Sequence, residues 1–286
     1  MGGPLLVAGS IALDSLLGGR ARDELGGSAT YFSLAASLLR PVALVAPVGR
    51  DAEAEFRRVL DRRRDIDLDG LRVLDAPTYR WFADSAHGRN VDLGSQDSIY
   101  DHWTPALPPG YRGWGFVGSM RLDRQLDATR ALAGCGLLAA DAMRSYVEAA
   151  PADARIVVEL ADWFFGNEEE LAALGGGEAE TFRVRWGLRG LVVKRGPGGA
   201  TVFTEHGEHH EPALRDPPAV ETTGAGDCLA GAMLARWLER DARPDALPEA
   251  LRWGVAAATI AISDVGVRAI ASACRADVER LVSSRR

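Results

Sequence analysis

Leu5-Leu6-Val7-Ala8 and Val42-Ala43-Leu44-Val45 are two short apolar runs, and between them Phe32, Ala35 and Leu39, with Leu34 and Leu38, recur at helical spacing. That is a β-α-β unit. Further along the chain, Phe116-Val117, Leu137-Leu138-Ala139-Ala140 and Leu191-Val192-Val193 read as more core strands, with helices over Leu122 to Leu132 and around Glu168 to Leu174. Ile156-Val157-Val158 has strand propensity, yet its place before Ala161-Asp162-Trp163-Phe164-Phe165 suits a helix leading into a strand; periodicity alone leaves both open. Alternating β and α predicts an α/β domain, a mainly parallel sheet with helices on both faces. Leu71 to Trp103 breaks the rhythm. Thr78-Tyr79-Arg80-Trp81-Phe82 and a polar interval with His87-Gly88-Arg89-Asn90 read as an antiparallel insertion, of the kind that serves as a lid or an oligomer contact. No Pro/Gly/Ser linker or charge run divides the 286 residues, so a single domain over 1–286 is expected.

The chain carries 33 basic against 40 acidic side chains, a formal charge of −7, and its 47% hydrophobic and 26% charged residues make it globular rather than disordered. A chain of this length buries about 75% of its extended surface, enough for one large core. Lys194 is the only lysine. It is followed by Arg195 and lacks the glycine frame of G-x-x-x-x-G-K-[ST], which excludes P-loop NTPases. Leu191-Val192-Val193-Lys194 is like the lysine strand of protein kinases, but no H-R-D or D-F-G follows it. The acidic balance argues against a general nucleic-acid or anionic-membrane surface and leaves room for a local anion site. Cys135, Cys228 and Cys274 are too few and too scattered for metal pairs or a disulfide framework, so a cytoplasmic location is expected. No apolar run reaches the roughly 18 residues of a membrane helix, and the N-terminus lacks the basic start of a signal peptide.

The sharpest chemical feature is Glu221-Thr222-Thr223-Gly224-Ala225-Gly226-Asp227, followed by Cys228 to Leu238 with Leu229, Met233 and Trp237 on one helical face. The glycines therefore stand at a helix N-terminus, where backbone N–H groups converge and the helix dipole adds roughly half a positive charge. Asp227, on the first turn, is a carboxylate able to accept a proton beside a bound anion. The same residues also suit a plain N-cap aspartate after a loop.

This segment resembles the D-T-x-G-A-G-D signature of the PfkB, or ribokinase-like, carbohydrate kinases. Gly26-Gly27-Ser28-Ala29-Thr30-Tyr31-Phe32-Ser33-Leu34-Ala35-Ala36, then Val42 to Asp51, resembles that family's G-G, helix and strand ending in V-G-x-D. Asn167-Glu168-Glu169-Glu170 fits its N-x-x-E, and Lys194-Arg195-Gly196-Pro197-Gly198-Gly199 fits its strand-to-hairpin element along the nucleotide. Four motifs in order span nearly the whole chain.

The resemblance implies a three-layer α/β/α sandwich with a mainly parallel central sheet and a small β-strand lid, its strands expected around 12–25 and 71–104. It implies an enzyme that uses ATP and Mg²⁺ to phosphorylate a hydroxyl of a small polyhydroxylated acceptor, a sugar or sugar-derived polyol, inositol-like compounds included. Asp227 would be the general base, and the N–H groups of Gly224, Ala225, Gly226 and Asp227 the anion hole, a division that suits a loose phosphoryl-transfer transition state. Thr223, Lys194, Gly196, Gly199 and Asn167 would lie along the nucleotide. Glu170 and Asn167, one helical turn apart, would face its phosphates through Mg²⁺ and its waters; a helix N-cap asparagine followed by solvated glutamates accounts for the same residues. Asp14 would bind acceptor hydroxyls, with a turn residue as the alternative. Gly26 and Gly27 would let the backbone approach the acceptor, and Tyr79, Trp81 and Arg89 would lie on the lid, either closing over it or packing across strands.

Two departures stand out. Tyr31 replaces the asparagine of many sugar kinases of the family, which adds an aromatic wall, removes an amide hydrogen-bonder and puts ribose specificity in doubt. Glu221 replaces an aspartate near where some members hold a monovalent cation, so potassium activation is not assumed. A nucleoside kinase, with Tyr31 and the lid aromatics stacking on a base, is the alternative within the family. A ligand-binding protein that kept the scaffold is the alternative outside catalysis, against which the intact Gly-Ala-Gly-Asp argues. A homodimer through the lid is expected by analogy only. Gly134-Cys135-Gly136-Leu137-Leu138-Ala139 precedes a strand instead of following one, so it is not read as a dinucleotide loop. His206, His209 and His210 fit no structural zinc spacing, and Cys228 reads as a packing residue.

Overall fold

The computed structural model describes residues 3–84 and 91–284. Among the described residues, nine strands form one sheet and four form another. The large sheet is built on β1 (Leu5–Ala8), which pairs in parallel with β4 (Val42–Gly49) on one side and β8 (Trp114–Val117) on the other. Beyond β4 lies β5 (Ile66–Leu74); beyond β8 follow β9 (Leu137–Asp141), β10 (Trp163–Asn167) and β11 (Gly190–Lys194), all parallel. The hairpin strands β12 (Ala200–Thr204) and β13 (Gly207–Glu211) complete the β11 edge.

The central strands β1, β4, β8, β9, β10 and β11 are largely apolar because both faces are covered, whereas the edge strands β5 and β13 carry exposed polar residues. Leu5, Val7, Phe116, Trp163, Phe165 and Val192 turn to one face; α1 (Ser28–Ala36), α2 (Glu53–Leu60), α8 (Ala225–Glu239), α9 (Leu247–Ala261), α10 (Arg268–Ser272) and α11 (Arg275–Ser283) pack there. Phe164, Leu191 and Val193 turn to the other, against α4 (Arg144–Ala149), α5 (Pro151–Leu160), α6 (Glu168–Ala173) and α7 (Ala179–Arg185), with α3 (Leu122–Leu132) continuing that layer beside β8. This is the three-layer sandwich the alternation implies. Ile156, Val157 and Val158 fall within α5, where the helix leads into β10. Phe32 stacks on Phe116 at 4.4 Å between centroids, which pins α1 to the middle of the sheet and adds about 0.5–1.5 kcal/mol beyond area burial.

The small sheet runs in the order β3 (Ala21–Gly26), β2 (Ala12–Leu16), β6 (Tyr79–Asp84), β7 (Val91–Gln96). Its two hairpins are antiparallel, but β2 pairs with β6 in parallel, so it is mixed rather than antiparallel throughout. The insertion expected from Leu71 is shorter than its sequence limits: Leu71–Leu74 is the end of β5, held to β4. At the other end Ile99, Tyr100 and Trp103 are buried under the body rather than in the lid, because closely spaced large apolar side chains seek the core. Among the described residues no helix is long and apolar enough to cross a membrane.

Candidate active site

The C-terminal ends of β9, β10 and β11 and the N-terminus of α8 meet at one edge of the large sheet, the edge where parallel α/β sheets bind ligands. Gly224 caps α8 at φ 75°, ψ −1°, a left-handed conformation that suits glycine. Cys228 N–H donates to the Gly224 carbonyl at 2.9 Å and Ala225 N–H to the Thr222 carbonyl at 3.4 Å, which leaves Gly226 and Asp227 N–H on the open first turn. An ideal Cβ on Gly226 would lie 3.1 Å from Lys194 Nζ, so the lysine runs along this turn. Thr223, expected along the nucleotide, has its N–H and hydroxyl both donating to Glu221, at 3.0 and 2.8 Å. The extra methylene of Glu221 lets its buried carboxylate fold back and brace the loop.

Asp227 is half-buried as a residue, and its Oδ1 is a buried atom that meets no hydrogen-bond donor among the described residues. Burial pushes its carboxyl up to about 6, with Lys194 holding it down and Glu170 pushing the same way as burial. Lys194 Nζ is 3.5 Å from Glu170 Oε2. Burial works against its charge, but Glu170, Asp141 and Asp227 together hold it firmly protonated. Asn167 and Lys194 are register partners across β10 and β11, so both face the same edge. Asn167 caps α6 in a reciprocal box: its Oδ1 accepts from Glu170 N–H at 2.8 Å, and Glu170 Oε2 accepts from Asn167 N–H at 2.7 Å.

Asp14 is a strand residue of β2, not a turn residue, and is only 2% exposed. Burial and then the charges of Glu221, Asp227 and Glu24 raise its carboxyl well above the ordinary range. The partners in register with it are Glu24 on β3 and Trp81 on β6, so these three share one face of the small sheet. Gly26 and Gly27 are packed closely against the protein's own atoms. A Cβ on Gly26 would meet Asp14 Oδ2 at 1.9 Å, and one on Gly27, at φ 92°, would meet the Ser10 carbonyl at 2.5 Å. Tyr31 is likewise no exposed wall. It is 1% exposed, its ring lies where a Gly224 side chain would be, 2.3 Å from that Cβ, and its hydroxyl has no partner among the described residues. Gly196 and Gly199 flank the turn from β11 to β12, where Gly199 packs against the Glu211 carbonyl. Arg89 lies outside the described residues.

Sequence reasoning missed Asp141, the last residue of β9, which is 5% exposed and faces Asp227. An acid directly after the apolar run Leu137 to Ala140 was the signal that could have found it.

Comparison with solved structures establishes a ribokinase-type fold. The chain superposes on a nucleoside kinase of Methanocaldococcus jannaschii with a TM-score of 0.80 at 18% identity, covering 99% of this chain and 100% of the other. A Burkholderia thailandensis nucleoside kinase bound to inosine gives 0.80 at 22% identity, covering 98% and 96%. The pattern of pfkB family carbohydrate kinases matches residues 122–274, and the chain belongs to that family; it is a phosphotransferase. Among characterised proteins it is similar to an ATP-dependent ribose-1-phosphate kinase of Halopiger xanaduensis, 29% identical over 230 residues, 76% of this chain and 74% of that protein.

Proposed function

We propose that this protein transfers the γ-phosphate of ATP to a hydroxyl of a sugar or sugar-derived polyol. The observation that carries the reading is the Asp227 carboxyl on the first turn of α8, its Oδ1 buried without a donor among the described residues, with Lys194 along that turn. Asp227 takes the acceptor hydroxyl's proton as its oxygen attacks. The N–H groups of Gly224 to Asp227 receive the charge on the transferring phosphoryl group, and Lys194 pairs with the phosphates. Asp14 holds acceptor hydroxyls from the small sheet beside Trp81, and Tyr31 supports the loop from beneath Gly224.

Among the described residues no group of three or more His, Cys, Asp or Glu could cage a bare metal ion. Asn167 and Glu170, with Oδ1 and Oε2 committed to the capping box, fit a hydrated Mg²⁺ held through water at the remaining Glu170 oxygen. Bound there, the ion would neutralise charge on the β- and γ-phosphates.

The test is ADP release with Mg·ATP over pentoses, hexoses, keto-deoxy sugar acids, inositols, ribose 1-phosphate and nucleosides. Ribose 1-phosphate is included because the relative at 29% identity is named for it. Turnover with a free sugar or polyol is the expected result; turnover with nucleosides alone overturns the acceptor assignment, and none with any acceptor overturns the enzyme reading. The nucleoside alternative loses Tyr31 as a stacking surface and keeps Trp81.

A further inference from the structure

Asp14 belongs to β2 but rests on β3. Its Oδ2 occupies the space above Gly26, where a Cβ would meet it at 1.9 Å, and its register partner on β3 is Glu24. The place of β3 therefore sets the place of Asp14. β3 is an edge of the small sheet, with β2 as its one sheet neighbour among the described residues. One side of an edge strand lacks ladder hydrogen bonds, so its contacts with the body decide where it sits.

The body supports that edge unevenly. An open cavity of about 350 Å³ separates β3 from α2, walled by Leu25, Val59, Arg62 and Ala271 among others. Beside it, the chain that follows α9 comes up to β3. A Cβ on Gly266 would lie 3.2 Å from both Glu24 Cβ and the Leu25 carbonyl oxygen, and Gly266 takes φ 61° there. Two residues on, at the start of α10, the Arg268 guanidinium donates to both oxygens of Glu24. Arg268 is itself firmly seated. Val267 and Ile270 beside it are buried in the large core, and Arg63, just beyond α2, donates to the carbonyls of Ile270 at 2.9 Å and Ala271 at 3.2 Å. The other charges near the pair are Asp264, 3.8 Å from Arg268, and Glu55 and Arg62 across the cavity. Arg80 joins Asp23 to Asp51 on the opposite face of the sheet, whereas Glu24 and its arginine lie on the face that carries Asp14.

We infer that Arg268 is a positioning residue of the acceptor site: by gripping Glu24 it fixes β3 against the body, and so holds Asp14 where an acceptor hydroxyl meets it. The bearing on the acceptor rests on the role of Asp14 in the proposed function; the tether itself does not. The Arg268 side chain is 55% exposed, and a pair this open adds little to global stability. Its effect falls instead on the local order of β2 and β3, and through them on acceptor affinity.

Two readouts test this. The first is hydrogen exchange by mass spectrometry on the full chain without ligands, followed in peptides that cover β2 and β3. Arg268→Met and Glu24→Gln should each speed exchange there about 3- to 10-fold and leave α8 and α9 as in wild type. The shift in Tm should be about 2 °C or less. The double variant should go little beyond either single one, because each breaks the same contact, and Arg268→Lys should restore part of the protection. Unchanged exchange in both single variants overturns the tether. Loosening that spreads to α8 with a large loss of Tm overturns it too, since that marks a general structural role.

The second readout is steady-state turnover with whichever acceptor the screen yields, with Asp14→Asn measured alongside. Arg268→Met should raise KM for the acceptor about 5- to 20-fold and leave KM for Mg·ATP within about twofold, with part of the loss recovered in Arg268→Lys. A raised acceptor KM in Asp14→Asn but not in Arg268→Met overturns the positioning role. An unchanged acceptor KM in Asp14→Asn overturns the acceptor assignment and the positioning role with it, while exchange still decides the tether. A chain that turns over nothing counts against the proposed function alone, and the exchange data again decide the tether.

Discussion

Replacing Asp227 by Asn removes the proposed proton acceptor while keeping the shape of the side chain, and the pH profile of wild type tells in advance how that acceptor should behave. Burial lifts its carboxyl to about 6. A base works only when ionised, so activity is present above that value and lost below it. With the carboxyl at about 6, roughly 97% is ionised at pH 7.5 and about 9% at pH 5, so kcat/KM should fall about tenfold over that interval. An ordinary exposed aspartate near 3.9 would still be about 93% ionised at pH 5, and the rate would barely change. The assay is coupled ADP release at saturating Mg·ATP and low acceptor, from about pH 5 to 8.5, with enzyme stability checked at each point. In Asp227→Asn, kcat should drop about 10²- to 10⁴-fold at pH 7.5, and the residual rate should lose its acidic limb. A flat wild-type profile down to pH 5, or full activity in Asp227→Asn, would refute the assignment of the base and the account of its environment.

Gly224→Ala should be among the more damaging single-methyl additions in the chain: the new Cβ meets the Tyr31 ring at 2.3 Å in a backbone conformation with φ 75°. A loss of about 1–3 kcal/mol in denaturant unfolding is expected, together with weaker ATP binding, and Tyr31→Ala in the same chain should recover part of the stability by opening the space; no recovery would show that Tyr31 is not what Gly224 accommodates. Lys194→Met should weaken ATP binding about 10- to 100-fold by calorimetry, the worth of one charge-assisted contact, and unchanged affinity would remove Lys194 from the phosphate site.

The order of strands and helices was legible because each element declares itself locally. Continuous apolar runs such as Leu137 to Ala140 mark strands covered on both faces, and Leu229, Met233 and Trp237 mark a helix. The insertion was misjudged at both ends for a related reason. Leu71–Leu74 has no local pattern that separates a lid strand from the end of a sheet strand; its register with β4 decides it. The glycine loop that caps α8 was equally legible, since glycines before an apolar-periodic helix need no partner elsewhere to be recognised.

What lies between elements was not. Tyr31 follows Gly27 closely in sequence, but its role comes from Gly224, which reaches it only when α1 packs on α8. Gly26 is adjacent to Gly27 in the sequence, but that its missing Cβ makes room for Asp14 is seen only across the β2–β3 hairpin. Asn167 and Glu170 announced a helix turn, and the capping box shows which of their oxygens the fold itself consumes. Spacing along the chain was enough to set the alternating architecture, the family and the position of Asp227 at a helix start, since each of these is a pattern of near neighbours. That Asp227 faces Asp141 and shares the single lysine with Glu170 emerges only in the folded chain. The energy of a buried charge depends on what stands within a few ångströms of it and hardly at all on its sequence neighbours.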